Sequence, residues 1–494
     1  MNKEKSSYKS IMKATSLFGG VQVIKILVEI IRSKLIAVLL GPSGMGIAGL
    51  FTSTTSMISA LTDFGIGISA VKSIATANET QDSSRISLVI SVYKKLVWAT
   101  GFLGAIVAFI FATPLSEFTF GTNDYTYGFR WLSVFLLLSR LTSGDIILLQ
   151  GMRKLNYLAK ANVLGVLVGL LISIPLYFYY KIDGIVPAMI VTAILSFIVT
   201  RYFSDKIKVK STKVSIADII REGKELLQLG IVLSITYLFG MGITYMLRVF
   251  IANYGGVDQV GLYTAGITIV SSYSGLVFSA MSTDYLPRLS GVANNNVRVK
   301  QTINEQAEIG ILILAPFLTV FLIFINYAIV ILYSSSFKLM AGMVHWATLG
   351  LYFKVASWSV GFILLAKGAS KLFLWSEVIA GTYMFLISIL GYYLFGLDGV
   401  GVAFLLSNIL NTLQVYFIAN KFYKFKFNKQ FYIIFIIQFT IGLICFLCVK
   451  LLSIFWVYLI GFPLIILSFY YSYKELDKLI NFKEIISKFR NKIT

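Results

Sequence analysis

The feature that constrains the fold most is an apolar segment at residues 15–40, which is long enough to cross a lipid bilayer as one helix. A helix of this length extends roughly 39 Å, more than the hydrocarbon core requires. The segment also contains Lys25, Glu29 and Arg32, which are spaced i, i+4 and i+7 and therefore share one helical face. Since a charge at the bilayer centre costs at least about 2.5 kcal/mol, this face is expected to meet a bundle interior or a wet cavity.

Two interpretations of this charged face remain open. Glu29 can pair with Lys25 or with Arg32, which would make the face a nearly neutral stripe that only positions the helix. One cation is left over in either pairing, and Lys34 lies on the opposite side near the helix end. The alternative is a cationic cavity wall that binds an anionic substrate.

The composition is that of an integral membrane protein. Of the 494 residues 57% are hydrophobic and 13% are charged, whereas a soluble chain carries about 25% charged residues. Little mass is left for a soluble catalytic domain, and residues 15–40 are too long for a signal sequence, so we interpret them as a retained first span. The net charge of +21 comes mostly from short loops between spans, which indicates membrane topology and not nucleic-acid binding.

No cofactor or metal is expected. Cys445 and Cys448 form a CxxC pair within an apolar helix without a second such pair, and His345 is the one histidine of the sequence. The glycine-rich segment at residues 44–49 matches GxGxxG by letter, but it lies between two spans and does not follow a strand. Its glycines are expected to allow a tight turn and a close approach of helices.

Apolar runs bounded by glycine, proline or charged breaks predict an all-α integral membrane protein with about fourteen transmembrane helices. Most of the 43 Lys and Arg residues lie in loops on one side, whereas the loops on the other side contain only Lys181, Lys338 and Lys450. Because cytoplasmic loops carry the excess of cations, both termini are expected to be cytoplasmic. The spans lie at about residues 15–40, 44–74, 88–113, 128–150, 157–180, 184–204, 228–252, 261–286, 307–333, 343–366, 372–396, 399–420, 430–449 and 453–473.

The sequence repeats itself, which predicts two homologous six-span halves plus two extra spans. Because six is even, both halves have the same topology, as in transporters whose binding site lies between the repeats near the membrane midplane. Three pairs of segments carry the repeat: residues 41–51 with 255–266, which aligns Gly46 with Gly261 at an offset of 215; QGMRKL at 150 with KGASKL at 367, at an offset of 217; and residues 179–203 with 392–417, which aligns Asp183 with Asp398 at an offset of 215.

This repeat sets the predicted domain organisation. The two halves account for twelve spans, and the last two have no repeat partner. The predicted regions are an N-terminal six-helix lobe at 1–204, a cytoplasmic connection with an amphipathic helix at 205–227, a C-terminal six-helix lobe at 228–420, two additional helices at 421–473 and a basic cytoplasmic tail at 474–494.

Charged residues inside the spans form the candidate site. Five cations near the membrane centre or its outer half stand against two carboxylates, Glu29 and Asp63. Guanidinium forks and ammonium groups bind phosphate oxygens, so the excess of positive charge predicts a pyrophosphate-binding cavity. Glu29 and Asp63 are candidates for binding a coupling proton or sodium ion. The predicted substrate-binding cations are Lys25, Arg32, Arg140, Arg248 and Lys354.

Four segments together resemble a known family. They are KLIAVLLGPSGMGIAGL at 34, LTDFGIG at 61, LLQGMRKLNYLAKANVLG at 148 and MSTDYLPRLSG at 281. They resemble the Wzx-type flippases for O-antigen and related polysaccharide repeat units, which belong to the multidrug/oligosaccharidyl-lipid/polysaccharide exporter superfamily. The similarity extends to about residue 420. Many members have twelve spans, so the role of the last two, as a lipid-tail groove, a dimer contact or neither, stays open.

The resemblance implies a V-shaped pair of six-helix lobes in the bacterial inner membrane. Such a protein moves undecaprenyl-pyrophosphate-linked oligosaccharide from the cytoplasmic to the periplasmic leaflet by alternating access, and its cationic cavity would map onto the five cations above. The expected partners are this lipid-linked substrate and the bilayer, with a polysaccharide polymerase and a chain-length regulator as candidate protein partners.

Three other functions remain in competition. An ion-coupled multidrug exporter of the same superfamily would be expected to line its cavity with carboxylates, whereas cations predominate here. A membrane enzyme that polymerises or ligates glycans would need a sizeable outer loop, and the longest predicted one, at about residues 113–126, is short. A structural protein of a glycan-export complex would use the basic segment at 473–494 to lie on the membrane or hold a partner.

Overall fold

A computed structural model describes residues 2–207, 212 and 215–480, and these residues form α-helices and two short 3-10 helices with no strand among them. The predicted all-α class is thereby confirmed. The α-helices are α1 (Asn2–Asp63), α2 (Ile66–Glu79), α3 (Ser83–Ile110), α4 (Ala112–Phe120), α5 (Thr126–Gly151), α6 (Leu155–Tyr180), α7 (Ile185–Asp205), α8 (Ile216–Gly255), α9 (Val257–Gly291), α10 (Asn296–Leu332), α11 (Ala341–Ala366), α12 (Ser370–Tyr423), α13 (Lys429–Leu451) and α14 (Ile454–Ile480).

The number of membrane crossings follows from helix length and composition. Among the described residues, 10 helical stretches are long and apolar enough to cross a membrane. Two of them, Leu155–Asp205 with 51 residues and Ser370–Tyr423 with 54, are each long enough for two crossings. The 62-residue α1 also holds two, because it is kinked at Gly41. With these helices divided, the chain agrees with the fourteen predicted crossings.

The internal repeat is visible in the backbone. Left-handed φ values recur at the same offset of 215 residues along the chain, and the hydrogen bonds that end α5 recur in the same order at the end of α11. This offset replaces the 217 that the letters of QGMRKL and KGASKL suggested. The equivalent positive-φ residues are Gly41 and Gly256, Arg153 and Gly368, and Lys181 and Gly396.

The chain divides into two compact units. The first unit is Met1–Leu262 with Leu332–Ser334, and the second is Tyr263–Ile331 with Ser335–Thr494. These limits follow packing, whereas the predicted lobes at 1–204 and 228–420 follow the repeat and remain a prediction. Lys208, Lys210, Lys213 and residues 481–494 of the predicted tail lie outside the described residues.

Helix α8 belongs to the first unit. It is one helix of 40 residues that includes both the predicted amphipathic segment and the following span. Its start is fixed by a capping box, in which the Ser215 hydroxyl accepts from the Asp218 N–H at 3.1 Å and the Asp218 carboxylate accepts from the Ser215 N–H at 3.2 Å. The predicted helix in this connection is therefore confirmed.

Two glycines equivalent in the repeat touch within the first unit. A side chain at Gly46 would collide with the carbonyl oxygen of Val257, and one at Gly261 would collide with that of Pro42. Beside this contact the Ser43 hydroxyl donates to the Asp258 carboxylate. The expected close helix approach at the GxGxxG segment is thereby confirmed.

The second unit contains the two helices that lack a repeat partner. Gly442 of α13 lies against the Tyr352 ring of α11, and Gly461 of α14 lies against the Ile323 side chain of α10. The buried Gln438 donates to the Ser472 hydroxyl at 2.8 Å, which links α13 to α14. These helices therefore pack into the core of the second unit.

Candidate functional site

The first unit contains a cavity of about 760 Å³ that is lined by both apolar and polar side chains. Its wall is formed by residues 55–63 of α1, residues 67–71 of α2, residues 135–150 of α5 and residues 234–241 of α8. Polar groups within apolar spans are expected to face such a cavity and not the lipid. The polar lining consists of Thr55, Ser56, Ser59, Asp63, Ser139, Arg140, Ser143, Gln150, Ser234 and Tyr237.

A break in the second span shapes one wall of this cavity. Helix α1 ends at Asp63, Phe64 and Gly65 have φ values of 51° and 69°, and α2 starts at Ile66. Gly65 lies directly against the backbone of Gly230 in α8, where neither glycine leaves room for a side chain. The absence of side chains thus lets α8 approach the break closely.

An ion pair lies at the break. The guanidinium of Arg140 on α5 pairs with the carboxylate of Asp63, and its Nε donates to the Thr100 hydroxyl at 2.9 Å. The Arg140 side chain is 7% exposed and that of Asp63 is 22% exposed. The sequence assigned these residues separate roles, as a substrate-binding cation and an ion-coupling candidate. The structure brings them together, so that each compensates the charge of the other.

The charges on the first span are compensated in part, because Glu29 acts electrostatically on Lys25 without forming a salt bridge. The Lys25 ammonium donates to the amide oxygen of Asn162 on α6 at 2.6 Å. Glu29 is exposed and has no ion pair within the described part of the chain. Lys34 donates to the Tyr333 carbonyl. The nearly neutral stripe and the cationic cavity wall therefore both remain predictions for this face.

Two further predicted cations of the first unit have no counterion. Arg32 and Arg248 are both half-buried, and no ion pair or hydrogen bond to their side chains occurs among the described residues. The Nε of Arg248 is fully buried without a hydrogen-bond partner in residues 2–207, 212 and 215–480. Such groups are costly unless a ligand or water satisfies them.

The remaining predicted cation, Lys354, lies in the second unit. Its ammonium is 5.8 Å from the ring centroids of Phe278 and Phe404, and it has no ion pair within the described residues. Phe278 occupies the position that corresponds to Asp63 at the offset of 215, and Lys354 lies one residue before the equivalent of Arg140. A cation–π contact thus takes the place of the ion pair.

The serines of the cavity wall were missed by the sequence analysis. Ser56, Ser59 and Asp63 recur at three- and four-residue spacing, as do Ser139 and Ser143. This spacing places each group on one helical face and was the available signal.

Metal ligands do not cluster in the described residues, where no group of three or more His, Cys, Asp or Glu side chains is positioned to hold an ion. His345 is buried, and its Nε2 lies 3.2 Å from the Leu322 carbonyl oxygen. Cys445 and Cys448 are free, buried thiols. His345 and the two cysteines are therefore part of the buried interior of the second unit.

Comparison with known sequences gives one family and two curated relatives. The family described as polysaccharide biosynthesis protein matches residues 11–293. The chain is 24% identical over 383 residues to the lipid III flippase of Escherichia coli (strain K12), which covers 75% of this chain and 88% of that protein. The lipid III flippase of Shigella flexneri matches with the same identity and coverage.

Comparison with solved structures gives helical transporter folds. Lipid II flippase MurJ in an inward closed conformation matches with a TM-score of 0.73 and 15% identity, covering 94% of this chain and 99% of that chain. An inward-facing multidrug resistance MATE family transporter of the MOP superfamily matches with a TM-score of 0.67 and 15% identity, covering 81% and 96%. At this identity the likeness shows the fold. The curated relatives are named as flippases, in agreement with the expectation that the chain is not an enzyme.

Proposed function

The chain belongs to the polysaccharide biosynthesis protein family, and from this premise we propose that it is a flippase for undecaprenyl-pyrophosphate-linked oligosaccharide. The glycan would be an O-antigen or related surface polysaccharide repeat unit, moved across the inner membrane by alternating access. Support comes from relatives named as lipid III and lipid II flippases and from the shared transporter fold. The resemblance of four segments to Wzx-type flippases supports the polysaccharide substrate.

The observation that carries this proposal is a set of cations in the first unit that form no salt bridge. Lys25, Arg32 and Arg248 lie in apolar helices, and none forms a salt bridge with a carboxylate among the described residues, although Glu29 acts on Lys25 electrostatically. A pyrophosphate supplies the missing negative charge, and guanidinium groups bind its oxygens in bidentate fashion. We assign the pyrophosphate to these three side chains. Lys354 stays a predicted ligand, whereas Arg140 is already paired with Asp63.

A multidrug exporter is the second candidate, because MATE structures share the fold. Such an exporter would bind cationic compounds, and the side chains of Arg32 and Arg248, which form no salt bridge among the described residues, repel them. The lipid-linked anionic substrate is therefore preferred.

We also propose that Glu29 and Asp63 couple transport to a proton or sodium gradient. Glu29 is exposed and Asp63 lines the cavity, so neither carboxylate is enclosed by the protein. Replacing both residues by their amides is expected to abolish the dependence of transport on the gradient. Unchanged transport with the same ion dependence in the double variant would contradict this role.

The setting of the protein completes the proposal. We propose that it lies in the bacterial inner membrane with both termini in the cytoplasm, as the distribution of loop cations indicates. A polysaccharide polymerase and a chain-length regulator are the proposed protein partners, since they act on the product of a flippase. Reporter fusions at each terminus test the orientation.

The test of function is deletion of the gene in its own host and complementation with variants. Wild type is expected to restore surface polysaccharide, whereas Arg32→Ala and Arg248→Ala, expressed at the same level, leave lipid-linked repeat units trapped inside the cell. Arg130→Ala is the matched control, because Arg130 is exposed. Unchanged surface glycan combined with altered sensitivity to cationic drugs would overturn the proposal in favour of the exporter.

A further inference from the structure

The cavity of the first unit is lined by serine hydroxyls without partners. The hydroxyls of Ser56 and Ser59 on α1 and of Ser139 and Ser143 on α5 make no hydrogen bond within the described part of the chain. All four residues line the same cavity from two facing helices. A hydroxyl in a membrane-spanning helix ordinarily satisfies itself on the carbonyl one turn back.

Several other hydroxyls of the same two helices follow that rule. Ser53 donates to the Leu50 carbonyl at 3.0 Å, and Ser133 donates to the Arg130 carbonyl at 2.6 Å. Thr142, next to Ser143, donates to its own helix at 2.8 Å. The four cavity serines make no such bond, so their hydroxyls remain available to a ligand.

The charged groups of the cavity compensate each other. Because Asp63 and Arg140 are paired, the side chains of the cavity carry no net charge. The cavity offers a carboxylate that accepts hydrogen bonds, a guanidinium that donates them and hydroxyls that do both. An anionic pyrophosphate would face the Asp63 carboxylate here, whereas a neutral polyhydroxyl compound finds donors and acceptors together. A volume of about 760 Å³ falls within the range of small-ligand sites.

We infer that this cavity binds sugar hydroxyls of the lipid-linked glycan, apart from the cations that take the pyrophosphate. The inference rests on the proposed function and deepens it by separating two subsites within the first unit. Arg32 and Arg248 do not line the cavity. The lipid-linked pyrophosphate is thereby recognised by charge, and the glycan by hydrogen bonds in a neutral cavity.

The test measures binding of two probes to the purified full-length protein. One probe is undecaprenyl pyrophosphate without sugar, and the other is the lipid-linked oligosaccharide fraction extracted from the host that lacks the gene. The double variant Ser56→Ala/Ser139→Ala is compared with Ser53→Ala/Ser133→Ala, whose hydroxyls bond to their own helices. Each cavity serine is expected to contribute about 2- to 10-fold to affinity for the glycan-bearing probe and nothing for the sugar-free probe.

The outcomes separate this inference from the proposed function. Equal affinities of the cavity variant and wild type for both probes would overturn the sugar subsite and leave the flippase intact. An equal loss for both probes in Arg140→Gln would make the cavity a pyrophosphate site, again against the inference alone. Failure of the wild type to bind either probe would overturn the proposed function together with the inference.

Discussion

In the first half of the repeat the Asp63 carboxylate faces Arg140 at a break in the span, whereas the equivalent place in the second half has Phe278 beside Lys354. The second-half helix, α9, continues without a break through Phe278. Three turns, by contrast, keep a positive φ at positions related by the offset of 215. The comparison teaches that the path of the chain and its charges diverge independently after a duplication.

A second polar cluster shows the same divergence. In the first half, Asp145 accepts from the Ser204 hydroxyl at 2.9 Å and pairs with Arg201 at 3.4 Å. The equivalent residues in the second half lie within one apolar cluster. The first half therefore carries paired charges where the second carries apolar packing; the equivalent residues are Val360, Ala419 and Tyr416.

The largest expected effect comes from breaking the ion pair. Arg140→Leu leaves the partly buried Asp63 carboxylate without its counterion, and the free energy of unfolding is expected to fall by about 3–5 kcal/mol. Thermal unfolding of the purified protein in detergent measures this loss. Lys354→Leu is the matched control in the second half, and an equal loss there would erase the contrast between the halves.

The glycine contact comes next. Gly46→Ala and Gly261→Ala place a methyl group on the opposing backbone, and each is expected to cost about 1–3 kcal/mol of unfolding free energy. Gly240→Ala is the control, because nothing lies within 4 Å of a side chain there. If both substitutions behaved like the control, the close contact would not exist in the folded protein.

Exchanging equivalent turn residues tests whether the turns of the two halves have the same backbone conformation. Lys181 has a φ of 51° and its equivalent Gly396 has a φ of 58°. Gly396→Lys is expected to cost about 1–3 kcal/mol from backbone strain, whereas Lys181→Gly relieves strain of the same kind. Chemical denaturation of both variants measures whether each substitution raises or lowers the free energy of unfolding. Loss of stability in both would show that the turns are not equivalent.

The smallest expected change in stability is at Lys354. Lys354→Met removes a cation–π contact worth about 0.5–2 kcal/mol but also the cost of burying the ammonium, so the unfolding midpoint is expected to stay close to that of wild type. Transport is expected to fall by about tenfold or more if the ammonium binds the substrate anion. A stable variant with full transport would remove Lys354 from the candidate site.

The spans, the repeat and the close approach of Gly46 could be predicted from the sequence, because they depend on the length of apolar segments and on residue size along the chain. The pairing of Asp63 with Arg140 could not be predicted in this way. Which side chains meet across helices depends on helix rotation and tilt, and these are set by packing and not by the apolar pattern. The break at Phe64 and Gly65, which brings Asp63 to the cavity, likewise has no equivalent in the second half.

The most direct test of the flippase proposal is transbilayer movement in a purified system. The full-length protein is reconstituted into liposomes that contain lipid-linked oligosaccharide, and a membrane-impermeant oxidant of sugar diols reports the fraction in the outer leaflet over time. The accessible fraction is expected to rise above that of protein-free liposomes with the wild type and to stay at that level with Arg32→Ala/Arg248→Ala. An accessible fraction equal to that of protein-free liposomes for the folded wild type, with and without an imposed ion gradient, would contradict the proposal.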